Sequence, residues 1–216
     1  DKAYTEGITK LTTADVNYAE ALGYRIKHLG VARRTENGVE LRVHPTLIPA
    51  DRLIANVNGV MNAVMVHGDA VGSTLYYGAG AGAEPTASAV VADIIDVVRT
   101  LTTDPTNRVP HLAFQADALS DLPVLPVDEV ETAYYLRLHA QDRPGVLAKV
   151  ATILSERGIN IESIMQKDVE EQDGLVPMIL LTHRVREQNM NDAIAALESL
   201  EDIAGPLMRI RVEQLD

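Results

Sequence analysis

Tyr134-Tyr135-Leu136-Arg137-Leu138-His139-Ala140-Gln141-Asp142-Arg143-Pro144-Gly145-Val146-Leu147 is the stretch that decides the fold. Alternation from Tyr134 to Ala140 predicts a strand. Pro144 presets φ at the bend and Gly145 lets the backbone turn closely, so Val146 and Leu147 enter the core at once. From Val146 to Arg157 the spacing becomes helical, with Val146, Val150, Ile153 and Leu154 facing inward. Further on, Ile159 to Gln166 and Leu175 to Thr182 read as strands. Met190 to Leu200 reads as a helix with Ile194 and Leu197 on one stripe, and Leu207 to Val212 as a last strand. The order βαββαβ is the split, ferredoxin-like arrangement: a four-stranded antiparallel sheet backed by two helices.

Working back from this unit, composition shifts over residues 104–131. Asp104-Pro105-Thr106-Asn107 is a turn cluster, and Pro110, Pro123 and Pro126 break regular structure. Leu119, Leu122, Val124 and Leu125 interrupt the stretch, which predicts a partly packed crossing between two domains, residues 1–125 and 132–216. In the first, Thr12 to Leu22 predicts a helix capped by Thr12 with Asp15 three residues on, Val16, Ala19 and Leu22 sharing a face, and Gly23 stopping it. Tyr24 to Arg34 and Val39 to His44 read as strands around Thr35-Glu36-Asn37-Gly38, where Asn-Gly predicts a hairpin turn with both central residues at positive φ. Asp51 to Asn56 reads as a short helical or irregular piece. Asn62 to His67 and Gly72 to Tyr77 read as a second strand pair, and Pro85 to Leu101 as a helix with Pro85 in its first turn and a broad apolar face. The fold class is α+β: a mixed α/β sheet with covering helices, followed by the ferredoxin-like unit.

Across 216 residues there are 19 Lys and Arg against 31 Asp and Glu, a net charge of −12 spread evenly over the chain. An acidic chain without a basic patch repels phosphate backbones, which argues against nucleic acid and anionic membrane as main partners. No apolar run approaches the ~18–20 residues of a spanning helix. The absence of cysteine excludes a disulfide framework, thiolate metal sites and a thiol nucleophile, and fits a reducing cytoplasm. Position 1 is Asp rather than Met, which suggests a part of a longer protein.

Two loops carry candidate chemistry. At Gln141–Leu147, amides at the helix start are partly positive, so an amino-acid carboxylate could dock there. Asp142 would either cap the helix or hold an ammonium group. In Gly78-Ala79-Gly80-Ala81-Gly82-Ala83-Glu84-Pro85, three alternate glycines precede a helix start and would let a phosphate or ribose approach bare backbone. Pro85 at the third site and the lack of a surrounding βαβ unit exclude the Rossmann fingerprint, and no Gly-Lys-Ser/Thr follows to make a P-loop. Each loop, taken alone, reads first as a packing turn. His28, His44, His67, His111, His139 and His183 show no ligand spacing, so no metal site is expected. No G-x-S-x-G elbow occurs. Lys27 reads as a solvated or paired strand residue, and Glu170-Glu171 and Glu201-Asp202 as solvated loops.

Arg143-Pro144-Gly145-Val146-Leu147, a helix ending at Gly158, and Ile159-Asn160-Ile161 within βαββαβ together resemble the ACT domain, a regulatory module that binds small molecules. The resemblance implies amino-acid effectors held between two modules, at positions matching Asp142, Gly145 and Asn160. Thr5-Glu6-Gly7-Ile8, Ala21-Leu22-Gly23-Tyr24-Arg25-Ile26-Lys27, Val43-His44-Pro45-Thr46-Leu47-Ile48, and the Gly78–Gly82 bend with Pro85-Thr86-Ala87-Ser88-Ala89-Val90 resemble bacterial homoserine dehydrogenase. That resemblance implies interconversion of L-aspartate 4-semialdehyde and L-homoserine with NAD or NADP, toward threonine, methionine and isoleucine. It places Gly82 against the cofactor with Gly80 beside it. It further implies a homo-oligomer built through the substrate-domain sheet and the ACT module, with threonine as effector. The family's Rossmann domain and its Asp-x-x-Gly-x-Asp-x-x-x-Lys block have no counterpart here. The expectation is therefore the C-terminal part of the enzyme: the rest of the catalytic domain plus the regulatory tail, inactive alone. A non-enzymatic amino-acid sensor or assembly module is the competing reading.

Overall fold

A computed structural model of the protein describes residues 2–104, 114–166 and 174–215. Pro105, Pro110, His111 and Glu170-Glu171 lie outside the described residues. Two compact units form: one joins the chain up to Ala55 with the chain from Leu122 onward, and the other is Asn56–Asp121.

The first unit is built on one eight-stranded sheet. Its C-terminal portion runs β6 (Glu131–Gln141), α3 (Val146–Glu156), β7 (Ile161–Gln166), β8 (Leu175–Thr182), β9 (Val185–Arg186), α4 (Glu187–Glu198) and β10 (Ile203–Val212). The strands lie in the order β10-β6-β8-β7, all neighbours antiparallel, with β9 on the start of β6. This is the ferredoxin-like order expected from the sequence. Tyr134, Leu136, Leu138 and Ala140 point to one face and pack under Val146, Val150 and Leu154 of α3 and Met190, Ala193 and Leu197 of α4.

The opposite face is covered as well, which the expected two-helix unit did not include. Ala133, Tyr135, Ile179, Leu181, Met208, Ile210 and Val212 pack against Tyr18, Ala19 and Leu47 from the beginning of the chain. Burial of both faces is why Tyr134 and Tyr135, adjacent in sequence, are both fully buried. Tyr18 and Ala19 belong to α1 (Thr13–Ala21), whose first turn is held by Asp15 accepting the Thr12 N–H at 3.0 Å and the Thr12 hydroxyl at 2.7 Å. Its inward face is Asp15, Tyr18 and Ala19, while Val16 is exposed, so the helix is rotated from the expected apolar stripe.

The sheet continues through β3 (Val39–Pro49), flanked by β2 (Tyr24–Arg34) on one edge and by β1 (Tyr4–Thr5) and β10 in succession on the other. Here β3 outruns its expected end at His44. The Val43 carbonyl accepts Glu6 N–H and the Leu47 carbonyl accepts Glu213 N–H, so Pro45, midway between them, faces the gap where the ladder passes from β1 to β10. A residue without an N–H is tolerated at such a gap. At the hairpin only Gly38 has positive φ, and Asn37 does not, so the expected Asn-Gly turn type is not formed. Gly38 is instead required by a close approach: a Cβ there would lie 2.3 Å from the Pro123 carbonyl, and Pro123 and Leu125 hydrogen-bond to Val39.

The second unit pairs β4 (Met61–Gly68) with β5 (Gly72–Ala79) in register Met61↔Ala79 to Gly68↔Gly72, followed by α2 (Ala83–Leu101). Val90, Val91, Ile94, Val97 and Val98 are each more than half exposed. No described helix is long and apolar enough to cross a membrane.

Candidate functional site

Three places concentrate chemistry. The first was not foreseen. Alternate residues Glu40, Arg42, His44 and Thr46 point to one face of β3 and are buried there. Glu213, just past β10, accepts from Arg42 at 2.6 Å and from Arg33 at 2.8 Å, and Glu40 receives Arg42 at 3.2 Å. Beside them Arg211 reaches Glu187 through Nε at 2.9 Å and Glu6 at 3.0 Å, and lies 4.7 Å above the Tyr4 ring. Glu187 also receives the Tyr134 hydroxyl at 2.6 Å and Arg209 at 2.8 Å. The cluster balances four arginines, Arg33, Arg42, Arg209 and Arg211, against four glutamates, Glu6, Glu40, Glu187 and Glu213.

Burial pushes the Glu187 and Glu213 carboxyls up, but hydrogen bonds and charge from their arginines outweigh it and hold both below the usual range. Burial, with Arg211 and Arg42 nearby, pushes the His44 imidazole down to about 4. Its Nε2 accepts from Arg42 at 2.9 Å and its Nδ1 donates to the Pro45 carbonyl at 3.0 Å, a pattern only the neutral ring can make. On the other face of the sheet Asp15, fully buried, takes Arg137 in a two-point pair at 2.6 and 3.1 Å and the Tyr135 hydroxyl at 3.2 Å. Charged residues alternating with apolar ones on a strand ordinarily mark a solvent face, so the sequence carried no signal for this burial.

The second place is the β6–α3 loop. Gly145 precedes α3 with φ +94, and nothing lies within 4 Å of where its Cβ would be, so backbone conformation alone demands glycine. Asp142 is exposed and no side chain caps α3, which removes the capping role for Asp142. Asp202 is buried, not solvated as expected. It is paired with Lys149 at 2.6 Å and with Arg143, and Lys149 first, then Arg143, hold its carboxyl below the usual range. Asn160 is exposed just before β7. Within one copy it is not brought to Asp142 and Gly145: Gln141 pairs with Leu175 at one end of β8, and Ile161 with Thr182 at the other. At the usual rise that is roughly 23 Å.

The third place is the glycine bend. Gly82 opens α2 with φ +125, and its carbonyl accepts Thr86 N–H at 3.2 Å. The Gly80 amide donates to Val60 at 2.9 Å, and a Cβ on Gly80 would fall 1.3 Å from the Asn62 side-chain nitrogen. Bareness at Gly80 thus serves packing against Asn62, and Gly82 is the glycine at the helix start.

Family models for homoserine dehydrogenase and for the ACT domain match residues 1–95 and 134–202. A homoserine dehydrogenase of Pseudomonas aeruginosa is 81% identical over all 216 residues, which make up 50% of that relative. The chain belongs to the homoserine dehydrogenase family. A homoserine dehydrogenase of Neisseria gonorrhoeae is 54% identical over 212 residues, 98% of this chain and 48% of the relative. The crystal structure of a homoserine dehydrogenase from Thiobacillus denitrificans superposes with a TM-score of 0.91 at 63% identity, covering all of this chain and 48% of that one. A Staphylococcus aureus homoserine dehydrogenase, at 23% identity and TM-score 0.63, shares the fold. The chain spans about half the length of the curated homoserine dehydrogenases it matches.

Proposed function

We propose that these residues form the C-terminal part of a homoserine dehydrogenase that interconverts L-aspartate 4-semialdehyde and L-homoserine in the cytoplasm, toward threonine, methionine and isoleucine. The observation that carries this is the ordered match of residues 1–95 to the enzyme family and 134–202 to the ACT domain, in a chain 81% identical to one such enzyme throughout. Residues 1–125 are the rest of the catalytic and dimerisation domain and 132–216 the regulatory module. The division is one of function, since the sheet packs across it.

NAD or NADP, when bound, supplies the hydride. Gly82 fits contact with it: exposed backbone at a helix start, with no side chain of its own and the Pro85 ring on one side, oriented by a φ of +125. Gly80 sets the bend by packing on Asn62. The proton donor and acceptor, a lysine in this family, belongs to residues outside these 216, so the present chain alone binds the cofactor weakly and does not turn over.

In the regulatory module, Asp142 holds the ammonium of threonine, and the start of α3 behind Gly145 takes its carboxylate. Asn160, at the far end of β8, completes the site from a second copy, which makes the protein a homo-oligomer. Calorimetric titration of the chain with L-threonine tests the effector. NADPH oxidation by the full-length protein with semialdehyde tests the enzyme; a full-length protein that shows no such oxidation ends the proposal.

A further inference from the structure

Resting on the regulatory reading above, we propose that the junction of β3 and β10 is the link through which ligand binding at the β6–α3 loop reaches residues 2–55. The route is one strand long, and its register with β6 shifts once, between Ala204 and Met208. At its near end Asp202, immediately before β10, is clasped by Arg143 of the loop and by Lys149 of α3. The Asp202 carbonyl also accepts the N–H of Gln141, the last residue of β6. At its far end β10 carries Arg211 and runs into Glu213, and pairs in parallel with β3 through Arg211↔Thr46 and Val212↔Leu47. Any ligand that draws the loop inward displaces the partners of Asp202 and so the start of β10.

Displacement must then pass to β3 because the junction resists sliding. The two oxygens of Glu213 are divided between Arg33 at 2.8 Å and Arg42 at 2.6 Å. Arg211 is divided between Glu187 of α4 and Glu6, just past β1. All of Arg42, Arg211, Glu187 and Glu213 are buried, and a buried charge that loses its partner is penalised heavily. β3 therefore follows β10 rather than letting it move alone. On the other face Arg137 of β6 grips Asp15 of α1, so the same displacement is carried on both sides of the sheet.

Hydrogen exchange of the 216-residue chain, with calorimetry in parallel and L-threonine as the probe, tests this. With threonine bound, amides of residues 42–44 and 46–48 are expected to exchange about fivefold more slowly, the lower end of ordinary coupling between sites. Lys149→Met, which loosens the Asp202 clasp at an exposed side chain, should keep the binding heat and lose most of the slowing at β3. Glu213→Gln, if folded by circular dichroism, should do the same from the other end. Threonine heat with exchange altered only within residues 131–166 would overturn the proposal and leave the regulatory reading standing. No heat at millimolar threonine would remove both.

Discussion

His44 should make this protein acid-sensitive well above the pH at which carboxylates titrate. The ring is fully buried, sits against the Arg42 guanidinium, and is pushed down to about 4 from an ordinary 6.5. Because the folded value is the lower one, the unfolded chain takes up the proton first. Stability from this group is complete above pH 6.5 and drains away as pH falls toward 4. At about 1.4 kcal/mol per unit the full loss is about 3 kcal/mol, of which about 2 kcal/mol falls between pH 7 and pH 5. His44→Gln keeps an oxygen that can accept from Arg42 but cannot titrate. Urea unfolding of both proteins at pH 7, 6 and 5 isolates the effect, since every other group is common to both, including His139, which burial also pushes down. The wild type should lose about 2 kcal/mol more than the variant over that range. Equal losses would refute a buried neutral His44.

Glu187→Gln should cost about 3–5 kcal/mol, because it takes away the carboxylate shared by buried Arg211 and partly buried Arg209 and leaves Arg211 only Glu6, whereas Arg25→Ala, which breaks an exposed pair with Glu20, should cost under about 1 kcal/mol; chemical denaturation reads both. Glu6, Asp15, Glu187 and Glu213 are all held below their ordinary carboxyl values of 4.5 and 3.8. Their stabilisation is complete above those values and is lost below them, so a second, steeper loss is expected under pH 4.5, present equally in His44→Gln. Gly145→Ala meets open space but must hold a left-handed backbone, and should cost about 1–2 kcal/mol in thermal unfolding. Gly80→Ala should shift the amide resonances of β4 and β5 by expelling the Asn62 side chain, and Asn62→Ala in the same chain should restore them.

How much was legible follows the range of each signal. Alternation at Tyr134–Ala140, the Pro144-Gly145 bend and the helical spacing after Val146 are local, and they were enough for the ferredoxin-like topology. The strand pair β4–β5 and α2 were equally local. The second buried face was not readable, because α1 reaches Tyr135 and Ile179 across more than a hundred residues and its buried face includes an aspartate. Asp15 inside a helix looks like a cap, and it is one; nothing nearby announces that Arg137 also spans both its oxygens. The same holds for Asp202, whose partners Arg143 and Lys149 lie far back in the chain. Pro45 suggested a strand end because its tolerance depends on β10 replacing β1 along the edge, a fact of tertiary structure alone. The candidate site residues could be named by type and loop, but the separation of Asp142 from Asn160 needed the register of β8.

The proposed enzyme carries its proposed amino-acid sensor in the same sheet. Its most direct test is homoserine-dependent reduction of NAD or NADP by the full-length protein, followed at 340 nm with and without L-threonine. The expected result is steady turnover that millimolar threonine suppresses in the wild type but not in a variant carrying Lys149→Met. Turnover indifferent to threonine while threonine binds, or no turnover with the catalytic half present, would rule this out.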